Sequence, residues 1–265
     1  MLRAIDNFHK THPTTALELN VTRHPYSFIG DSRGEDAGGG LKGASDGQLS
    51  TWHDALLGYM GGNPAAREQA ELGMLAQGKA AGITFDYGVK AQWQPVDSQR
   101  LLLWAGRFGL QEEFMSALNK RHFEQRQSAS ERQTLLAAAA EVGLDTAAAS
   151  AFLDSRELEA DVWRSYGETI RTKRIHSIPL FAFNVPAIDA AGGPFRAPGT
   201  HEAYVVRGSM DTEYFTELLE LIARDVAAGT RNFDARALRL GRHDEWWTSG
   251  GSGVCTAGGD GVCAR

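Results

Sequence analysis

Hydrophobic and polar positions change period twice along this chain. Leu2, Ile5 and Phe8 recur at helical spacing, and His12-Pro13 ends that stripe because a residue before proline disfavours the α region. Ala16–Thr22 then alternates apolar with polar. That is the pattern of a strand with one buried face, with Leu17, Leu19 and Val21 pointing inward. His24-Pro25-Tyr26 leads on in extended form, and Gly30–Gly47 reads as a surface loop of glycine, aspartate and serine.

The middle of the chain has the helical period throughout. Ser50 is a candidate cap for a helix over Thr51–Tyr59. Asn63 followed by Pro64 starts a second helix, which Gly82 ends after Ala81. Ile83–Val89 reads as an extended link. Asp97 or Ser98 caps a helix to about Phe108, closed by Gly109, and the next runs from Gln111 to Glu124 with Phe114, Leu118 and Phe123 on its apolar side. Ser130 and Gln133 have capping-box spacing before Glu131–Val142, which Gly143 and Leu144 terminate. Asp145 caps a short helix to Leu153, and Ser155 caps a long one to Thr172.

The period then returns to that of strands. Leu180–Phe183 is a short apolar run opened by Pro179, whose missing N–H costs no ladder bond at a strand start. A second strand is expected over Ala203–Val206, followed by Gly208 and a helix over Asp211–Ala227. Strand pieces on both sides of a helical block imply an insertion into an α/β domain. The expected organisation is a discontinuous α/β domain over residues 1–30 and 174–229, a helical insertion over 48–173, and a largely disordered C-terminal extension over 230–265.

Composition narrows the function classes. A chain of 265 residues, 42% apolar, can bury a substantial core. A net charge of −6 with pI about 5.8 argues against a nucleic-acid partner, which would need a basic face. No apolar run approaches membrane-spanning length, and Met1–Lys10 has no signal-peptide core, so a soluble, cytoplasmic protein without a membrane partner is expected.

Candidate chemistry is sparse. The two cysteines, Cys255 and Cys263, lie in a glycine-rich tail, where neither a disulfide framework nor a helix-start thiolate is expected. With His243 they make an incomplete metal set at a spacing unlike structural zinc sites, so no metal is expected. Gly38–Gly43 lacks the order of a phosphate-binding loop. Trp246 and Trp247 either fold back over the core or anchor a partner. His176, three residues before Pro179, is either an exposed loop histidine or a group facing a cleft.

Three pieces, in order and spacing, carry a resemblance: His24-Pro25-Tyr26, Glu141-Val142-Gly143-Leu144-Asp145 and Ile178-Pro179-Leu180-Phe181. From about Leu2 to Ala227 the chain resembles the DsbA-like thioredoxin-fold family. That family holds disulfide oxidoreductases, 2-hydroxychromene-2-carboxylate isomerases and kappa-class glutathione transferases. The resemblance implies an α/β thioredoxin-like fold with a large all-helical insertion. It also implies a cis bond at Ile178–Pro179 and thiol–disulfide chemistry. The implied substrate contacts are the backbone of Ile178, with Pro179 and His176 beside it. The implied partners are a peptide thiol or disulfide, or a glutathione-linked small molecule with glutathione as candidate co-substrate.

The departures are as informative. Met1–Ile5 resembles the middle of the family's first helix, which places the first strand and the Cys-x-x-Cys (or serine) turn before Met1. The first strand is therefore expected to be missing, the slot between Ala16–Thr22 and Leu180–Phe183 to be open or rearranged, and no catalytic residue to be present. The chain is then a shortened form of an oxidoreductase, a glutathione-dependent isomerase or transferase, or a binding protein that retains the groove. The family's Asn-Thr pair is also unmatched, with Ser98 as candidate stand-in for the threonine hydroxyl.

Overall fold

A computed structural model describes residues 1–15, 17–27, 30–33, 49–189 and 204–229. The chain divides into two compact units, Met1–Asn20 with Thr169–Arg265, and Val21–Glu168.

The first unit is built on two helices and a strand pair. Helix α1 (Leu2–Thr11) buries Ala4 and Phe8 and stops at His12, whose N–H returns to the Phe8 carbonyl at 2.8 Å. In the Val21–Glu168 unit, β1 (Leu49–Thr51) pairs antiparallel with β2 (Lys90–Gln92), and α2 to α7 follow as Trp52–Tyr59, Pro64–Ala81, Val96–Gly106, Gln111–Glu124, Arg132–Glu141 and Thr146–Asp154. Helix α8 (Glu159–Arg171) gives its last turn, from Thr169, to the first unit. There the chain continues with β3 (Leu180–Phe183), β4 (Tyr204–Arg207) and α9 (Thr212–Ala228).

Strands β3 and β4 are antiparallel, with Leu180 opposite Arg207, Phe181 opposite Val206 and Phe183 opposite Tyr204. Their inward residues meet α9. Phe181 lies edge-on to Phe215 at 5.0 Å, and Phe183 is 6.5 Å from the same ring. Tyr204 and Val206 join Phe215, Leu218, Leu219 and Ile222 of α9 and Ala4 and Phe8 of α1 in one apolar core. The second unit has its own core, in which Leu101, Leu102, Phe114, Leu135 and Phe152 draw α4 to α7 together.

Of the strand expected over Ala16–Thr22, residues 17–22 form no ladder with any described residue. Burial alternates as the sequence predicts, with Leu17, Leu19 and Val21 half-buried and Glu18, Asn20 and Thr22 exposed. The hydrogen bonds, however, are local. Leu17 N–H donates to the Thr15 carbonyl at 2.9 Å, and the Leu17 carbonyl lies 3.2 Å from His9 Nε2. Among the described residues β3 pairs with β4 alone, so its other edge has no strand beside it.

Four caps also differ from the sequence expectation. Thr51, not Ser50, caps α2, in a reciprocal box with Asp54, although both residues pair in the ladder, opposite Lys90 and Ala91. Pro95, not Asp97 or Ser98, precedes α4. Ser130 accepts from Gln92 N–H at 2.8 Å, and α6 starts after Glu131 with no side-chain cap. Ser155 turns the chain by accepting from Glu157 N–H, and α8 starts at Glu159. The caps at Asn63 and Asp145 are those the sequence predicts, and Asp211, expected as the first residue of its helix, caps α9.

Candidate binding edge at Ile178–Pro179

The last turn of α8 sets the approach to β3. Arg174 has φ +54, a left-handed turn, and Ile175 N–H then donates back to the Thr169 carbonyl at 3.0 Å. Ile175 is buried, which pins the segment, while His176 and Ser177 are exposed beyond it.

Ile178 follows with 48% of its surface exposed, and the Ile178–Pro179 peptide bond is cis. Pro179 is anchored through its carbonyl, which accepts from Gly208 N–H at 2.8 Å. That bond extends the β3–β4 ladder one step past Leu180 and Arg207. Gly208 reaches it with φ +88, a conformation in which a side chain would be strained.

Ile178 itself makes no hydrogen bond to any described residue, through either its N–H or its C=O. Among the described residues, an apolar residue with an unbonded donor and acceptor thus stands where the β3 edge that pairs with no described strand begins. His176, Ile178 and Pro179 share one exposed turn. His176 makes no hydrogen bond or ion pair with the described residues, so it is an exposed loop histidine here.

The other end of the same ladder, at Phe183 and Tyr204, holds a polar pair set in the apolar core. Tyr204 on β4 donates through its hydroxyl to Asp225 Oδ2 on α9 at 2.6 Å, and both residues are buried. Burial, then the hydrogen bond and charge of Asp225, push the Tyr204 hydroxyl well above its ordinary range. A tyrosine so held is a donor at neutral pH.

Other sequence-predicted groups prove structural or lie elsewhere. Ser98 is buried, and its hydroxyl donates to the Pro95 carbonyl at 2.8 Å, so it serves the first turn of α4 and does not stand in for a substrate-facing threonine. Gly38–Gly43, His243, Trp246, Trp247, Cys255 and Cys263 lie outside the described residues.

The second unit holds a polar cluster that sequence reasoning missed. His53 Nδ1 of α2 meets Glu71 Oε1 of α3 at 2.5 Å, and Arg67 Nη1, one turn before Glu71, is 3.5 Å from the same oxygen. Tyr87 packs against it, edge-on to His53 at 6.1 Å and stacked on Phe85 at 5.7 Å. Burial, then the charge of Glu71, raises the Tyr87 hydroxyl to about 12. Arg67 and Glu71 are one turn apart on α3, but His53 and Tyr87 come from other parts of the chain, so no local spacing announces the whole cluster. Among the described residues no group of three or more His, Cys, Asp or Glu is arranged to hold a metal. No described helix is long and apolar enough to cross a membrane.

Residues 62–176 match the family model of the DSBA-like thioredoxin domain. No curated protein matches the chain. Among solved structures, the crystal structure of a probable DsbA oxidoreductase from Streptomyces coelicolor is similar over 83% of this chain and 83% of its own, with a TM-score of 0.59 and 19% identity. At that identity the likeness speaks for the fold, which is α/β and thioredoxin-like, helix-rich with few strands and a helical insertion.

Proposed function

We propose that this DsbA-like chain, so placed by the match over residues 62–176 and by its thioredoxin-like fold, binds extended thiol- or disulfide-bearing peptides along the backbone at Ile178. The observation that carries the reading is that the N–H and C=O of an exposed Ile178 bond to no described residue, directly before a strand whose outer edge pairs with no described strand. Backbone addition of this kind takes its affinity from main-chain hydrogen bonds, and neighbouring side chains select the ligand. Pro179 walls one side of the contact and His176 stands beside it. Glutathione, a short extended peptide with a thiol, has the chemistry for the same edge. A glutathione-dependent isomerase or transferase would use the edge in the same way.

Residues 1–265 do not carry out the exchange themselves in this proposal. Thiol–disulfide exchange needs a thiolate whose pKa is lowered, as at a helix start. The thiols of this sequence are Cys255 and Cys263, set in a run of glycine and small residues that offers no such position. Calorimetric titration with oxidised glutathione and with a disulfide-bearing peptide tests the binding, and insulin reduction tests the chemistry. Saturable binding without turnover is expected. Turnover that survives Cys255→Ser with Cys263→Ser, or that these changes abolish, contradicts the account, as does absence of binding to either probe.

A further inference from the structure

Helix α3 (Pro64–Ala81) has eighteen residues, yet Ala70, Glu71 and Gly78 are its buried ones. A different face carries Ala65, Glu68, Leu72, Leu75 and Lys79, all exposed. Leu72 is 61% exposed and Leu75 38%, with Ile83 at 37% just past the helix end. These positions alternate in steps of three and four, the seam spacing of paired helices. Leucines on such a seam are unusual when no described residue covers them.

The charges on the seam are arranged with a specific symmetry. Glu68 lies toward its start and Lys79 toward its end. Neither forms an ion pair within the described residues. A two-fold axis crossing the helix between Gly73 and Met74 sets Glu68 opposite Lys79 of a second copy, and Lys79 opposite its Glu68. The same axis sets Leu72 opposite Leu75 of the second copy, and brings Ile83 toward its Pro64. A two-fold contact must be self-complementary, because each residue meets its counterpart's partner. This stripe satisfies that requirement in both hydrophobicity and charge.

We propose that α3 is a homodimer contact, in which two copies of this chain pair antiparallel along the Ala65–Glu68–Leu72–Leu75–Lys79 stripe. The helix is about 27 Å long. One helix pair of that length covers less than the roughly 1,600 Å² of a standard stable interface. The dimer is therefore reversible, with a dissociation constant on the order of ten micromolar.

Sedimentation velocity on the full chain tests this, with Cys255→Ser and Cys263→Ser in every variant to remove disulfide-linked species. The parent protein should pass from monomer to dimer between about 1 and 200 µM, spanning the dissociation constant expected above. Glu68→Lys alone, or Lys79→Glu alone, puts like charges opposite each other twice per dimer and should weaken association about tenfold. Glu68→Lys combined with Lys79→Glu restores opposite pairs and should return the parent's association. Both positions are exposed, and circular dichroism checks that helix content is unchanged. A parent monomeric at about 200 µM, single reversals that leave association unchanged, or a double reversal that does not restore it would each overturn the proposal.

Discussion

Gly208 N–H donates to the Pro179 carbonyl at 2.8 Å, and this bond fixes the start of β3 against the end of β4. It leaves Ile178 one residue beyond the last anchored position, with its own N–H and C=O bonded to no described residue. Gly208 makes the bond at φ +88. Gly208→Val places a β-branched residue in a conformation reserved for glycine, and should cost about 1–2 kcal/mol of stability. Urea unfolding checks the magnitude. The same variant should bind a disulfide-bearing peptide more weakly, because Pro179 loses its fixed position.

Base should unfold the protein. Tyr26 and Tyr87 are each raised to about 12 by burial, and Tyr204 is raised first by burial and then by Asp225. The unfolded chain releases these protons near pH 10, whereas the folded chain holds them, so stability is full below about pH 10 and falls as pH rises beyond it. Thermal melting at about pH 8 and pH 11 should show the loss. Tyr204→Phe should make the dependence shallower. It should also cost about 1–3 kcal/mol at neutral pH, because buried Asp225 loses a donor.

Acid should weaken the second unit through His122. Its Nδ1 accepts from Ala129 N–H at 3.2 Å, and burial lowers its pKa from the ordinary value. The folded form therefore resists protonation, while the unfolded chain takes up a proton below about pH 6.5. Stability from this group is full above that value and is lost as pH falls below it. His122→Asn keeps an acceptor without the titration. The fall in melting temperature between about pH 7.5 and pH 5.5 should be smaller in that variant than in the parent.

Much of this fold was legible because its signals are local. Asn63-Pro64 and Gly82 bound α3, Asp145 caps α7, and Asp211 caps α9, each through bonds to residues two or three positions away. Pro179 and the run after it mark β3 for the same reason. What was not legible depends on distant partners. Ser130 looks like a helix cap, but its hydroxyl is taken by Gln92, thirty-eight residues away. Strands β1 and β2 are three residues each and find one another across some forty positions. Leu17, Leu19 and Val21 have the alternation of a strand, yet a ladder needs a neighbour that alternation alone does not supply. At the site, the proline turn was readable in the sequence. That the Ile178 backbone groups bond to no described residue, and that Tyr204 and Asp225 join at the other end of the ladder, follows from the tertiary structure alone.

The most direct test of the binding edge is a residue-resolved amide spectrum of the Cys255→Ser, Cys263→Ser protein during titration with a disulfide-bearing peptide. The largest saturable shifts should fall on Ile178 and on Leu180 to Phe183, with Gly208 following through its bond to Pro179. Unchanged amides over that stretch at saturating peptide, or shifts confined to other parts of the chain, would contradict the account.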